Sequence, residues 1–264
     1  MNAADHTPTR TPATPAQARH ALRQGSAVVL PNPAPLTHVV AATTATAVNR
    51  AKHRPADQPV ALWAHHHETL DTLAGLWDLS PRACVMTRRL LAEEHLTALL
   101  PVRAHATLPS WLQPAVKDGW MLLFGARWQP LHRLLDDHPV LYVSSANLTG
   151  HPPAADTGEA LAMFPPTVPV LHLTDAEHPR PQAGTQVRRA TTTVRVTPDG
   201  RLHLHRHGAQ DQAHADGYLH HLHTRYAEST GPGRTKGRPL TDERTASDLR
   251  FRVVGTTGFE PATP

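Results

Sequence analysis

The sequence predicts an α/β fold, a single domain in which helices flank a twisted mixed β-sheet. Short apolar runs alternate with helical segments along the first 210 residues, which is typical of this class. Residues 191–197 and 201–205 flank the turn Pro198-Asp199-Gly200, which indicates an antiparallel hairpin. The chain has 264 residues, enough to bury a sizeable core.

Breaking and capping residues set the element limits in the first half of the chain. Gly25 ends the first helix, and Pro55 forces Arg54 out of helical geometry. Ser80 is a good N-cap, and Pro81 suits a first helical turn. The elements predicted here are helix 17–24, strand 26–30, helix 42–52, strand 58–64 and a helix that begins at 80.

The second half alternates strand and helix before the hairpin. The elements predicted here are strand 120–124, helix 130–136, strand 140–145, helix 159–164 and strand 168–173. The tryptophans lie on predicted strands or helix faces, which favours core anchors over base-stacking platforms. They are Trp63, Trp77, Trp111, Trp120 and Trp128.

The folded domain is predicted at residues 16–210. Residues 1–15 are rich in Thr, Pro and Ala and are expected to be disordered. Residues 211–264 are expected to be mostly disordered, because 229–237 contains three glycines, a proline and few apolar groups. The closing stretch 255–264 resembles a translated tRNA gene, which would make it read-through.

Composition narrows the functional classes. Lys and Arg number 26 against 22 Asp and Glu, but they are dispersed rather than gathered into one stripe. The single cysteine, Cys84, excludes an internal disulfide and favours a cytoplasmic location. Apolar runs are shorter than the roughly 20 residues that span a bilayer, so no membrane partner is expected.

Histidine is abundant, with 21 residues and clusters at 65–67 and 220–223. No cysteine accompanies these clusters, and a His-Glu-x-x-His spacing does not occur. We therefore expect surface histidines and no structural metal.

Two short segments have the groups to hold an anion. In an extended Lys52-His53-Arg54-Pro55 segment both cations would point the same way, but spacing alone favours a helix end whose cations face solvent. Ser145 and Asn147 follow a strand and precede Gly150, so they could aim hydroxyl, amide and backbone N–H groups at a phosphate. An ordinary turn uses the same residue types.

Together these segments resemble the YrdC-like family, which makes threonylcarbamoyl-AMP, the precursor of the threonylcarbamoyl group on tRNA adenosine. The resemblance covers residues 17–209 and is strongest over 47–62. Weaker matches are 144–152, Gly125-Ala126-Arg127, Thr191-Thr192-Thr193-Val194 and Arg206-His207-Gly208.

Two loops depart from the family pattern. The family's Pro-Thr-Asp-Thr-x-Tyr-Gly-Leu loop, which helps to hold the amino-acid substrate, is replaced by residues 31–38, where prolines remove backbone donors. The usual Pro-Gly-Pro-x-Thr is replaced by residues 93–97, which keep only Thr97. Glu93 and Glu94 would repel a triphosphate unless they point away or bind Mg²⁺.

The resemblance implies a role for each matching residue. Threonine and bicarbonate would form a carbamate that attacks the α-phosphate of ATP, supplied with Mg²⁺, and expels pyrophosphate. Positioning and cations would then carry the catalysis. Catalytic roles fall to Lys52, Arg54 and Arg127, nucleotide binding to Thr97, Ser145, Asn147, Thr192 and Arg206, and substrate binding to Asn32.

The leading hypothesis is a nucleotidyltransferase of the threonylcarbamoyl-AMP synthase type that acts in tRNA modification. One alternative is a non-catalytic relative that binds nucleotide or double-stranded RNA. Another is a carbamoyl-adenylate enzyme with a different acceptor amine. RNA, tRNA and downstream tRNA-modification proteins are further partners that the resemblance allows.

Overall fold

The structure is a computed structural model and describes residues 10–174, 187–211 and 215–227. In this part of the chain seven α-helices flank one nine-stranded sheet. The helices are α1 (Pro15–Arg23), α2 (Ala45–Ala51), α3 (His67–Ala74), α4 (Pro81–Glu93), α5 (His132–Asp136), α6 (Thr157–Met163) and α7 (Ala215–Leu222). The strands are β1 (Val28–Leu30), β2 (Val39–Ala42), β3 (Ala61–Trp63), β4 (Thr97–Pro101), β5 (Val116–Lys117), β6 (Trp120–Phe124), β7 (Leu141–Ser145), β8 (Thr193–Val196) and β9 (Leu202–Arg206).

The sheet is mixed, which confirms the predicted fold class. Its strand order is β1-β2-β7-β3-β6-β4-β8-β9, and β5 pairs with β6 beside this path. The pairs β3–β6 and β4–β8 are parallel, and the others are antiparallel. Because β3 runs parallel to β6 but antiparallel to β7, the carboxyl ends of β6 and β7 lie at opposite ends of the central strands.

Apolar side chains pack on both faces of the sheet. Met121 and Leu123 join the larger core together with α2, α3 and α4, whereas Phe124 joins a second core under α1 and α5. This alternation follows from the two-residue period of a strand. Trp63 and Trp77 are fully buried, as predicted for core anchors.

Several local predictions are confirmed, and one strand is wrong. Ser80 caps α4 by accepting a hydrogen bond from the N–H of Ala83 at 3.3 Å, and Pro81 begins the helix. The hairpin β8–β9 forms as expected. Residues 168–173 make only isolated bridges from Val170 and Leu171, and Pro169 cannot donate to a ladder.

Packed chain extends beyond both predicted domain limits. Upstream of residue 16, the N–H of Ala13 donates to the carbonyl of Val170 at 2.7 Å. Downstream of residue 210, α7 and the following turn bury Leu222 and Tyr226 completely. Residues 1–9 and 228–264, which include the expected read-through at 255–264, lie outside the described residues. No helix in the described ranges is long and apolar enough to cross a membrane.

The expectation that residues 65–67 form a surface histidine cluster is wrong for His65. Its side chain is only 5 % exposed, and its Nε2 donates to the carbonyl of His138 at 3.0 Å. The ring lies edge-on to Trp63, with centroids 5.9 Å apart. His65 therefore belongs to the packed interior beyond β3. Within the described ranges, no group of three or more His, Cys, Asp or Glu residues could hold a metal ion.

Candidate functional site

The Lys52–Arg54 segment is a helix-ending turn, so the predicted extended geometry is wrong. The N–H of Arg54 donates to the carbonyl of Asn49, and that of His53 to the carbonyl of Arg50, each at 3.1 Å. His53 is left-handed, with φ of 53°. These are the two hydrogen bonds of a Schellman turn, in which histidine takes the place usual for glycine.

Lys52 joins the two predicted anion-binding segments. Its side chain is 3 % exposed, and its Nζ donates to the carbonyl oxygen of Ser145, to Asn147 Oδ1 at 2.8 Å and to Ser145 Oγ at 3.4 Å. Three acceptors thus engage the three donors of the ammonium. Lys52 therefore acts chiefly by holding the loop that follows β7.

Asn147 is an organiser of the same loop. Its Nδ2 donates to the carbonyls of Leu148 at 3.0 Å and His151 at 2.9 Å, and its Oδ1 accepts from Lys52 and from Ser145 Oγ. The side chain is 2 % exposed. Because its amide is already fully engaged, Asn147 shapes the loop without reaching out to a ligand.

Arg54 and Arg206 bring two more positive charges toward Lys52. The pKa of Lys52 lies well below its usual value, because burial removes water from the ammonium and because the charges of Arg54 and Arg206 oppose it. Burial also lowers the pKa of Arg54 to about 10 and lowers that of Arg206. Arg54 Nη2 and Arg206 Nε are buried without an acceptor.

None of these three cations has a carboxylate partner in the described part of the chain. Buried charges normally are paired, because an isolated ion loses its hydration. The cation cluster, meaning Lys52, Arg54 and Arg206, is therefore a region of uncompensated positive charge with N–H groups available.

A bulge in β9 sets the position of Arg206. Thr193 is opposite Arg206 and Val194 is opposite Leu204, so one extra residue lies in β9. Arg206 Nη2 donates to the carbonyl of Thr191 at 3.1 Å. A Cβ on Gly208 would lie 2.2 Å from the backbone nitrogen of Thr192, so only glycine allows this close approach.

The threonines beside Arg206 do not all match their predicted roles. Thr97 Oγ1 lies 2.7 Å from Thr191 Oγ1, next to the carbonyl that Arg206 contacts. Thr192 is 0 % exposed, and its hydroxyl donates to Asp211 Oδ1 at 2.6 Å. Thr192 therefore has a structural contact here, and Thr191 is the threonine that remains partly exposed.

Asn32 lies in the loop that borders Ser145. The N–H of Ala146 donates to the carbonyl of His38 at 2.9 Å, which fixes the two loops side by side. Asn32 is buried, and its Nδ2 donates to the carbonyl of Thr37 at 3.0 Å. Its Oδ1 is buried without a partner.

Arg127 is paired with a carboxylate, and the charges that act on Lys52 are those of Arg54 and Arg206. Arg127 follows the carboxyl end of β6 and lies at the opposite end of the central strands from Ser145, whereas the register Phe124–Thr97–Thr193–Arg206 puts the backbone of Arg206 near the Arg127 end. Arg127 Nη2 instead pairs with Asp136, and this hydrogen bond is the main cause of the lowered pKa of Asp136.

Glu93 and Glu94 contact the C-terminal turn. Tyr226 donates its hydroxyl to Glu94 Oε1 at 2.7 Å, and Arg225 Nη2 donates to Glu93 Oε2 at 3.1 Å. Glu93 and Glu94 are therefore compensated by these contacts, which reduces the repulsion of a triphosphate that the sequence predicted.

Asn49 is a site residue that motif matching missed. It is fully buried, and its Nδ2 donates to the carbonyls of Ala56 at 2.9 Å and Gln58 at 2.8 Å, while its Oδ1 accepts from Arg54 Nε. Asparagine is unfavourable inside a helix. An asparagine inside a predicted helix, three residues before Lys52, was the sequence signal that could have indicated its role.

Comparison with known sequences gives a family match. The Sua5–YciO–YrdC model, described as telomere recombination, matches residues 20–208, which is most of the chain. No curated protein matches the sequence.

Solved structures share the fold at low identity. P. abyssi Sua5 complexed with L-threonine is 19 % identical, with a TM-score of 0.55 over 77 % of this chain and 56 % of that one. E. coli YciO is 16 % identical, with a TM-score of 0.50 over 75 % of this chain and 91 % of that one. Full-length HypF in the phosphate- and nucleotide-bound form is 18 % identical, with a TM-score of 0.52 over 74 % of this chain and 29 % of that one. The chain thus spans little more than half of the Sua5 it matches.

Proposed function

This chain belongs to the Sua5–YciO–YrdC family, and from that premise we propose that it is a nucleotidyltransferase of the threonylcarbamoyl-AMP synthase type. It would form threonylcarbamoyl-AMP from ATP, threonine and bicarbonate for tRNA modification. The observation that carries the proposal is the cation cluster, in which Lys52, Arg54 and Arg206 lie together without a carboxylate in the described residues.

The cluster fits a ligand with several negative charges. Arg54 and Arg206 retain buried N–H groups without acceptors, and arginine's planar fork suits phosphate oxygens. A polyphosphate would supply these acceptors and offset the repulsion from Arg54 and Arg206 that, after burial, lowers the pKa of Lys52. Its binding would stabilise the fold at the place where charge is least compensated.

The reaction needs no protein nucleophile. A carbamate oxygen attacks the α-phosphorus of ATP, and the bond from this phosphorus to the oxygen that bridges to the β-phosphate breaks. The electron pair leaves with pyrophosphate. Arg54 and Arg206 would neutralise the charge that develops on the phosphoryl oxygens. Lys52 would act through the Ser145–Asn147 loop by fixing where the reactants lie.

Mg²⁺ would arrive bound to the triphosphate. The cation cluster lacks a carboxylate among the described residues, so phosphate oxygens and water would supply the ligands of the ion. Mg²⁺ commonly retains several of its water ligands when it binds.

A second candidate keeps the adenylate chemistry but changes the acceptor amine. Asn32, Ala34 and Leu36 stand where the family loop has its two threonines and its tyrosine. Asn32 folds back and donates to the carbonyl of Thr37. Sua5 was solved with L-threonine and HypF with phosphate and nucleotide, so nucleotide use and threonine use need separate tests here.

The test is pyrophosphate release by the purified protein with ATP–Mg²⁺, bicarbonate and a panel of amino acids. Release that depends on threonine supports the first candidate, and release with another amine supports the second. Arg206→Met is the matched inactive control. If calorimetry detects no ATP binding and no amine elicits pyrophosphate, both candidates are wrong.

A further inference from the structure

Arg195 and Trp120 form a stacked pair on the strands beyond the cation cluster. The guanidinium carbon of Arg195 lies 3.7 Å from the centroid of the Trp120 ring. Leu99 of β4 pairs with Arg195 of β8 on one side and with Leu122 of β6 on the other. The sequence favoured a core anchor at Trp120, but the residue is only partly buried and serves as a platform for a cation.

Arg195 lacks a hydrogen-bond acceptor at one end of its guanidinium. Its Nε is buried without a partner, and in the described ranges it makes no ion pair with a carboxylate. The indole holds the guanidinium plane by a cation–π contact. A guanidinium fixed in this way can stack with a second planar group and donate in its own plane.

This pair is continuous with the cation cluster. Arg195 comes two residues after Thr193, the partner of Arg206, so the two arginines share a sheet face and lie about 7 Å apart along the strand. His205 is the extra residue of the β9 bulge beside Arg206, and its pKa is lowered first by burial and then by the charges of Arg195 and Arg206. The positive surface therefore extends from the cluster toward Trp120.

We propose that Arg195, held by Trp120, is the subsite for the heteroaromatic base of a nucleotide whose phosphates lie at Arg54 and Arg206. The base stacks on the guanidinium, and the in-plane N–H groups of Arg195 donate to a group of the nucleotide beside the base. This inference rests on the proposed function and extends it, since it assigns the end of the site that no phosphate contact reaches.

The test compares two ligands that share phosphates but differ in the base. ATP and inorganic tripolyphosphate are titrated calorimetrically into the wild-type protein, Arg195→Met and Arg195→Lys. Arginine stacking and in-plane donation are lost in both variants, while lysine keeps the charge. We expect ATP to bind about 10-fold more weakly to both, and the affinity for tripolyphosphate to change less than about 3-fold in Arg195→Lys.

Arg201→Met is the matched control. Arg201 lies on the same hairpin, is largely exposed and pairs with Asp199 at 3.0 Å, so its loss removes one positive charge without touching Trp120. We expect both affinities to stay within about 2-fold of wild type. We also expect ATP to quench tryptophan fluorescence in the wild-type protein and to quench it less in Trp120→Phe.

Other outcomes overturn either the base subsite or the proposed function. An ATP affinity that is unchanged in Arg195→Lys, or an equal loss for ATP and tripolyphosphate, overturns the base subsite alone. If the wild-type protein binds neither ATP nor tripolyphosphate, the proposed function fails and the subsite fails with it.

Discussion

The cation cluster and the Arg127–Asp136 pair contain similar residues in opposite electrostatic states. Lys52, Arg54 and Arg206 approach one another without a described carboxylate, whereas Arg127 is paired with Asp136. Both places resemble the family pattern in sequence. The difference teaches that a motif can predict where a cation stands but not whether the fold compensates its charge.

The largest expected effect is the loss of ATP binding on removal of a cluster cation. Arg206→Met and Arg54→Met keep most of the side-chain volume but remove the charged donor. We expect each to weaken ATP binding by about 1.5–3 kcal/mol, the range for a hydrogen bond to a charged group. Calorimetric titration with ATP–Mg²⁺ measures this.

The same variants should not lose stability through the removed charge, because like charges repel in the free protein. Urea unfolding without ligand measures this, and it also shows whether Arg54→Met disturbs Asn49, which Arg54 contacts. Unchanged ATP affinity in both variants would remove the basis for a phosphate site at the cluster.

Acid should lower the free energy of unfolding through the buried His65, which lies near Arg127. Burial, the neighbouring His66 and then Arg127 lower the pKa of His65 to about 3, against 6.5 for an ordinary histidine. Between pH 6.5 and pH 3, His65 is therefore protonated in the unfolded chain but neutral in the folded protein. The stability that His65 contributes above pH 6.5 is lost as the pH falls toward 3. We expect His65 alone to contribute a loss on the order of 2 kcal/mol between pH 7 and pH 5.

Urea unfolding at pH 7, 6 and 5 measures this loss in wild type and in His65→Gln, which keeps a donor for the carbonyl of His138. The variant should show a smaller decrease, with the remainder assigned to His38, whose pKa burial lowers to about 4. An equal decrease in both proteins would show that His65 is not the group that titrates.

The sequence could predict contacts that depend on local chemistry. Lys52 contacts the Ser145–Asn147 loop. This meeting of the two segments could be predicted, because a lysine and a polar loop after a strand are both recognisable in the sequence. The hairpin and the cap at Ser80 also follow from turn and capping residues. These features need only a few neighbouring residues.

Other features depend on strand order, which spacing alone does not encode. Arg127 was assigned to the site by its match to the family motif, but the fold pairs it with Asp136 of α5. Thr192 is buried and Thr191 remains partly exposed, because the hydroxyl of Thr192 donates to Asp211, a residue that lies 19 positions later in the chain. Residues 52–54 form a Schellman turn, in which the N–H groups of His53 and Arg54 donate to the last carbonyls of α2. These carbonyls have no partner within the helix.

The smallest expected effect belongs to Arg127→Met, the counterpart of Arg206→Met. The Arg127–Asp136 pair is partly open to water, with the side chains 30 % and 55 % exposed. Exposed ion pairs contribute little to stability, and salt screens them, so we expect only a small loss of stability that shrinks in high salt. ATP affinity should stay at the wild-type value, because Arg127 already has a carboxylate partner. A tenfold weaker ATP binding in Arg127→Met would instead place Arg127 in the site and show that its pairing with Asp136 gives way to the ligand.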